Sequence, residues 1–345
     1  MTKKGLLTSL LFVSAFILRG QDAHFSQFTG ATMNLSPAAV GMMEDNARIN
    51  LQYRNQWSAV LGKDAAFKTL SATYEKRKNL KSTDFFGWGV GLFSDKAGAL
   101  QHDELKGSIA YARKMAGKGT TAHYLVGGGS LGFFRKSINL DGREWSAQHD
   151  GNGGYDPTRS GGTVGTNRRW LFDVSMGLGW YSTFGKNNHI MGGFALQHLN
   201  QPEVSFDNAV FQNLYIRKTY HVATEFQVAR FCNVTASGLM MQQGPSTEFM
   251  YGGSLKLILR EPNRASAQLG AWLRTVNKLE GGTLNDAWVV LARFDWEQYG
   301  LGFSYDINTS LLKQINNANS SIELLLTYRF GAKYDQVRII TPRFL

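Results

Sequence analysis

Between Ile49 and Trp57 the chain alternates. Ile49, Leu51, Tyr53 and Trp57 are apolar, Asn50, Gln52, Arg54 and Gln56 are polar, and only Asn55 breaks the apolar row. A two-residue period describes a strand with one apolar face and one wet face. The pattern returns along the chain. Phe86, Trp88, Val90 and Leu92 alternate with glycines, and Phe172, Val174, Met176, Leu178 and Trp180 alternate with Asp173, Ser175, Gly177 and Gly179. Tyr220, Val222, Phe226 and Val228 oppose Arg217, His221, Glu225 and Gln227. Leu301, Phe303, Tyr305 and Ile307 oppose Gly302, Ser304, Asp306 and Asn308. Ile322, Leu324, Leu326, Tyr328 and Phe330 oppose Glu323, Leu325, Thr327 and Arg329. With further runs near 65–76, 100–114, 121–135, 187–198, 232–242, 247–260, 264–274 and 286–296, period counting gives about fourteen strands and no helical period between them.

The apolar face of such strands meets either a second sheet or lipid. Many runs approach ten residues, the length that crosses a bilayer at a tilt, whereas soluble strands average about five or six. Aromatics gather at strand ends (Trp57, Phe86, Trp180, Tyr181, Trp296, Tyr299, Tyr328, Phe330) as in interfacial girdles. Connections are short at 184–188 and 230–233 and long at about 136–167, the asymmetry of a barrel with turns on one rim and loops on the other.

The first residues add a compartment. Lys3 and Lys4 precede the apolar run 5–18, followed by Arg19, Gly20 and Gln21. A basic start and a run of this length suit an export leader better than a spanning helix. Gly20 stands as the small residue before the cut, and Gln21 opens the mature chain. The expected organisation is a leader at 1–20, a periplasmic or plug-like segment at 21–45, and a transmembrane outer-membrane β-barrel of about fourteen antiparallel strands at 46–332. A periplasmic tail follows at 333–345. Leu51 and Tyr53 then meet lipid, and Gln52 and Arg54 face the lumen.

Composition trims the alternatives. The 345 residues are 43% hydrophobic and 18% charged, a low charge for a cytosolic enzyme but natural for strands that alternate between lipid and lumen. The net charge of +11 raises nucleic-acid binding, yet no basic helix, zinc spacing or RNP-like aromatic motif accompanies it. Cys232 is the single cysteine, so no disulfide forms within the chain and no thiolate metal cluster is possible.

The polar candidates argue against an enzyme. His102 and Asp103, and His149 and Asp150, are neighbours in sequence, so on strands they point to opposite faces. In a loop they have no fixed geometry, and no nucleophile, base and orienter converge. His149, Asp150 and Asp156 lack the ordered spacing of a calcium loop, leaving solvated polarity as the simpler account. Gly87, Gly89 and Gly91, and Gly127 to Gly129, lie in strands with no helix behind them, so they read as small lumen-facing positions rather than phosphate loops. No cofactor and no metal is expected. Lumen charges come in both signs: Arg48, Arg54, Asp173, Glu225, Arg293, Asp306, Glu323 and Arg329. Mixed signs favour pairing across the barrel over a single-sign selectivity filter.

Several blocks resemble one family. D-A-H-F-S-Q-F-T-G-A-T-M-N-L-S-P-A-A-V-G (22–41), R-I-N-L-Q-Y-R-N-Q-W (48–57), M-G-G-F-A-L-Q-H-L-N-Q-P (191–202), G-A-W-L-R (270–274), G-F-S-Y-D-I-N-T-S (302–310) and the closing P-R-F (342–344) are similar to the PorP/SprF pattern. Two positions depart from it: Ser36 precedes Pro37-Ala38 where Asn is common, and Thr341 precedes Pro342 where a Cys often sits. A thiol or lipid role for the tail therefore does not carry over.

The resemblance implies a non-enzymatic outer-membrane component of the Bacteroidetes type IX secretion system. Its expected partners are outer-membrane lipid, periplasmic secretion or gliding components, and a large cell-surface adhesin or its sorting domain. Phe25, Phe28, Arg338, Pro342, Arg343 and Phe344 are the candidate partner anchors, since hot spots favour aromatic and Arg residues. The same composition suits termini tucked into the lumen as a plug, and the sequence leaves both readings open. A diffusion channel or hydrophobic-substrate transporter is the alternative function, carried by the polar lumen row.

Overall fold

The computed structural model describes residues 22–331, apart from 44, 81–82, 141–144, 152–153, 155, 157, 160–165, 186–187, 207–210, 261–264, 279–280 and 311–318. The expected leader and the tail beyond 331 lie outside the described residues. The strands are β1 (Ala47–Gln56), β2 (Phe67–Asn79), β3 (Phe85–Ala97), β4 (Leu100–Ala116), β5 (Ala122–Ile138), β6 (Arg168–Phe184) and β7 (Asn188–Gln197). They continue as β8 (Arg217–Ala229), β9 (Cys232–Gln243), β10 (Ser246–Arg260), β11 (Ala265–Asn277), β12 (Thr283–Trp296), β13 (Tyr299–Asn308) and β14 (Asn319–Phe330). Each pairs antiparallel with its neighbours in sequence, and β1 pairs β14 from Ala47 opposite Phe330 to Gln56 opposite Ser321. The fourteen strands therefore form a closed barrel without a free edge.

The mouth where β1 begins and β14 ends is here called near, the opposite one far. The connections at the near mouth are short: 80–84, 117–121, 185–187, 230–231, 261–264 and 297–298. At the far mouth 57–66, 139–167, 198–216 and 309–318 are long, but 98–99, 244–245 and 278–282 are as short as the near-mouth turns. The long connections all fall on one rim as expected, while tight turns occur on both.

The alternation sorts side chains as expected. Leu51 and Tyr53 are 45% and 40% exposed on the outer face, whereas Gln52 and Arg54 are 2% and 3% exposed inside. The outer face of every strand carries Leu, Val, Ile or aromatic rings. Among the described residues no helix is long and apolar enough to cross a membrane.

Helices are where periodicity is blind. Residues 22–43 carry a one-turn helix, α1 (Thr32–Leu35), and a 3-10 turn at Pro37–Ala39. The corner after β1 carries α2 (Ser58–Ala65), kinked at Gly62. These pieces are too short for a 3.6-residue period to show. α2 follows Trp57, whose φ of 61° places a bulky side chain in the left-handed region.

Residues 22–43 lie inside the barrel as a strap. Its Phe28, Met33, Leu35, Ala38, Ala39, Val40 and Met42 join one buried cluster with wall residues such as Phe85, Tyr124, Tyr181, Met191, Met250 and Trp272. Burying a Phe, Met or Leu side chain contributes about 1.5–3 kcal/mol, so several together hold the strap in place. The wall makes room with glycine. A Cβ added to Gly128 would lie 2.6 Å from the backbone of Pro37 and Ala38, and one added to Gly87 would collide with Val40. Gly127, by contrast, is on the outer face, where an added Cβ meets only Leu178 at 3.8 Å.

Gly128→Val should therefore lower the urea midpoint of unfolding in detergent, at an overpacking cost of roughly 1–3 kcal/mol. Gly127→Val, one residue away on the same strand, should leave the midpoint unchanged.

Candidate functional site: the strapped lumen

The lumen wall meets the strap through carboxylates. On β14, Glu323 accepts the backbone N–H groups of Ser26 and Gln27, each at 2.8 Å, and the side-chain amide of Gln52 at 2.7 Å. On β13, Asp306 pairs with Arg54 Nη2 at 3.0 Å and Arg274 Nη2 at 2.8 Å. The Ser26 hydroxyl donates to Asp306 at 3.0 Å and accepts from Arg54 at 2.8 Å and Arg274 at 2.6 Å. Nearer the near mouth, Glu75 accepts from the Thr32 hydroxyl, from Gly41 N at 3.1 Å and from Arg48 at 3.2 Å.

These groups are buried; Asp306, Glu323 and Glu75 are each 0% exposed. A buried carboxylate is tolerated when charge and hydrogen bonds saturate it, and each of these has both. The strap contributes no ionisable side chain between Phe25 and Met43. Wall charges are balanced by wall charges, and between Phe25 and Met43 the strap supplies neutral groups alone: N–H and O–H donors to the carboxylates, and carbonyl acceptors such as Gly30 O to Asn50 and Asn34 O to Gln197 and Arg217.

Charged contacts of the strap are confined to its two ends. At the near mouth Asp45 approaches Arg329 at 3.7 Å, Arg329 bonds Asp295 at 2.5 Å, and Arg293 bonds Asp295 at 2.9 Å. Arg77 donates to Met43 O at 2.9 Å while its guanidinium lies 3.9 Å above the Phe85 ring. At the far mouth Asp22 Oδ2 meets His198 Nε2 at 2.6 Å, Gln243 at 3.0 Å and Arg217 at 3.4 Å. His198 Nδ1 in turn faces Asp173 at 2.8 Å. His198 opens the 198–216 loop; burial opposes its charge, but the Asp22 and Asp173 carboxylates dominate and raise its pKa to about 9.

The candidate residues fall into place accordingly. Arg48, Arg54, Asp306, Glu323 and Arg329 point inward and bind the strap or its ends. Glu225 also points inward but touches only the wall, through Asn233 at 2.5 Å and Lys256 at 3.4 Å. Phe25 and Phe28 differ from the partner-anchor expectation. They are 2% and 6% exposed, and Phe25 packs edge-on against Phe93 at 6.2 Å, so neither presents a surface to a second chain. The plug reading, left open by composition, is the arrangement that the strap adopts. Arg338, Pro342, Arg343 and Phe344 lie outside the described residues.

Sequence reasoning passed over Asp22, Glu75, Arg77, His198 and Arg274, and placed Arg217 on a polar face without giving it a role. Their positions are legible as inward by alternation, except Asp22 and His198, which follow no period. The other polar candidates do not converge. His102 stacks on Phe134 inside at 4.9 Å, while Asp103 bonds Arg135 at 2.5 Å on the outer face. His149 and Asp156 make local loop bonds to Gly151 and Thr158. No metal-binding group of three His, Cys, Asp or Glu occurs among the described residues. A small cavity of about 50 Å³ remains beside Ser26–Thr29, bordered by His189, Glu225, Gln268, Trp272 and Arg293.

Two measurements probe this arrangement. Glu323→Leu leaves three donors and part of Arg54 without an acceptor, a loss of roughly 3–5 kcal/mol that should appear in the urea midpoint, with Glu323→Gln intermediate. For His198 the folded pKa lies above its unfolded value of about 6.5, so its contribution is complete below pH ~6.5 and disappears as pH rises through about 9. Thermal midpoints measured from pH 6 to 10 should fall across that window in the wild type and show a smaller fall in His198→Gln.

Comparison with known proteins completes the picture. Among solved structures the barrel is similar to the TodX monoaromatic hydrocarbon channel deltaS2 mutant, with a TM-score of 0.50 at 10% identity, covering 88% of this chain and 94% of that one. The Ralstonia pickettii toluene transporter TbuX aligns with a TM-score of 0.46 at 10% identity over 88% and 94% of the two chains. The KdgM porin aligns at 0.36 and 6% identity over 82% and 99%. At such identities the likeness concerns the barrel fold alone. No curated protein matches the chain. The family described as type IX secretion system membrane protein PorP/SprF matches residues 17–328, nearly the whole strap and barrel. The chain is thus a member of the PorP/SprF family of type IX secretion outer-membrane proteins.

Proposed function

We propose that this barrel is a non-enzymatic docking component of type IX secretion. It holds secretion or motor components at its periplasmic near mouth and supports export or surface anchoring of a large adhesin, in gliding cells as part of the motility apparatus. The observation that carries this reading is a lumen occupied from one mouth to the other by the chain's own residues. A diffusion pore needs an open path, whereas a docking barrel needs a rigid frame with two differentiated rims. The family's role in type IX secretion supports the reading. Partner contacts fall to the exposed rims and to the 334–345 tail with Arg338, Arg343 and Phe344, whose side chains suit hot spots.

The second reading is a channel for hydrophobic molecules. It is favoured by the cavity beside Ser26–Thr29 and by the barrel fold shared with TodX, a monoaromatic hydrocarbon channel. Conductance in planar bilayers separates the two, since a filled barrel should stay silent.

Mild-detergent pull-down from outer membranes should recover secretion components or a large surface protein with the full-length chain. Deleting 334–345 should leave a heat-modifiable, folded barrel that no longer retains them. Equal recovery with the truncated chain would remove the tail from the reading, and recovery of the barrel alone from the full-length chain would favour the channel.

A further inference from the structure

A closed barrel is convex outside, and a convex apolar wall gives a lipid chain nothing to settle into. One sector of this wall departs from that shape. Across β12, β13, β14 and β1, at the near end of the outward face, lies a groove of about 380 Å³. Its size falls within the range of about 300–1,000 Å³ that small-molecule sites occupy. Trp296, Tyr299, Tyr328 and Ile49 stand opposite one another in register, and a second row running from Phe294 to Leu51 lies one step deeper. The rings gather in pairs: Trp296 is 6.3 Å from Phe294, and Tyr299 is 5.2 Å from Tyr328. Apart from the tyrosine hydroxyls and Thr327, the side chains that line the groove are apolar.

Charge stands beside it. On β2, Lys76 and Lys78 are exposed and alternate with the inward Glu75 and Arg77, so both face outward. Lys76 is opposite Ala47, and Ala47 is opposite Phe330. The small side chain of Ala47 leaves Lys76 free to lean toward the groove. Ile49, which lines the groove, is opposite Tyr74, so Lys76 is its diagonal neighbour at about 7–8 Å. The Tyr74 ring lies 5.6 Å from Trp88 and 6.4 Å from Phe330, a cluster of the kind that sits at headgroup level. Inside the barrel Arg54, Arg274 and Arg293 all meet carboxylates. Among the described residues neither Lys76 nor Lys78 does.

We propose that the groove and the two lysines form one site for an anionic phospholipid of the phosphatidylglycerol class. An acyl chain lies in the groove and the phosphate meets Lys76 and Lys78. The glycerol that separates phosphate from acyl chain bridges the short diagonal between Lys76 and Ile49. The near mouth carries short turns alone, which marks the periplasmic rim of an outer-membrane barrel and hence the phospholipid leaflet. Two unpaired cations favour a headgroup of net negative charge over a zwitterionic one, whose own ammonium opposes them. The bound chain crosses the pairing of β14 with β1, so it fastens the first and last strands from outside while the strap holds them from within.

The test is native mass spectrometry of the folded, detergent-purified barrel, titrated with phosphatidylglycerol or with phosphatidylethanolamine of the same chains. The wild type should retain one phosphatidylglycerol under conditions that strip phosphatidylethanolamine. Lys76→Gln combined with Lys78→Gln should lower that retention roughly 25-fold, about fivefold for each lysine at a membrane surface. Leu326→Trp fills the groove on a face that already carries rings, and should lower retention of both lipids while the barrel stays heat-modifiable. Lys218→Gln, an exposed lysine at the far end of β8, should change nothing. Equal retention of the two lipids by the wild type, or unchanged retention in the lysine pair, would overturn the proposal. So would an equal loss in Lys218→Gln, which would reduce the effect to net charge. Tight retention of lipid A in place of phospholipid would put this rim in the opposite leaflet and overturn it as well.

Discussion

A closed barrel solves the problem of a free sheet edge and creates another: an interior wide enough to need filling. Fourteen strands enclose more space than their own inward side chains occupy. Everything inside this protein follows from how that space is used. Glycines on β3, β5 and β6 recess one side of the wall, and the strap lies in the recess. Opposite, Glu323 on β14 takes the backbone N–H groups of Ser26 and Gln27, and Asp306 on β13 takes the Ser26 hydroxyl. Because the wall's own arginines neutralise those carboxylates, the strap can be uncharged through its middle. An uncharged filler avoids the desolvation cost that a charged one would bring into a low-dielectric interior.

The two faces of the wall answer to different solvents. Outside, leucines and aromatic rings meet lipid, with stacks such as Phe133 on Trp170 at 5.3 Å. Inside, polar groups would be costly without partners, so they are knitted into networks. The two mouths are also unlike: short turns alone at the near one, four long loops among short turns at the far one. That inequality makes the two rims distinct surfaces, and the strap joins them mechanically as well as filling the space between.

Most of the architecture was legible from alternation. The 232–242 run differs from β9 by a single residue, and the remaining runs differ from their strands by a few residues at either end. The reason is that a wall between lipid and lumen imposes contrast at every position, and contrast is what a period detects. The strap was illegible for the complementary reason. It is surrounded on all sides by protein, so Phe25, Ser26 and Gln27 are equally buried and no period survives. Phe25 and Phe28 could be suspected of burial or of partner contact, and only coordinates separate the two. His198 was hidden similarly, in a bend with φ of 60° outside any strand.

The bond between Ser26 N and Glu323 joins residues 297 positions apart. Contacts of such separation are slow to form, because the intervening chain has to be ordered first. The strap, made before any strand of the wall, is thus among the last segments to find its permanent neighbours, and the final strand brings both the seam partner of β1 and the acceptor for the strap. Until then the strap's apolar side chains have no wall to cover them. Between synthesis of Phe25 and arrival of Glu323 these side chains are open to contact with any other apolar surface.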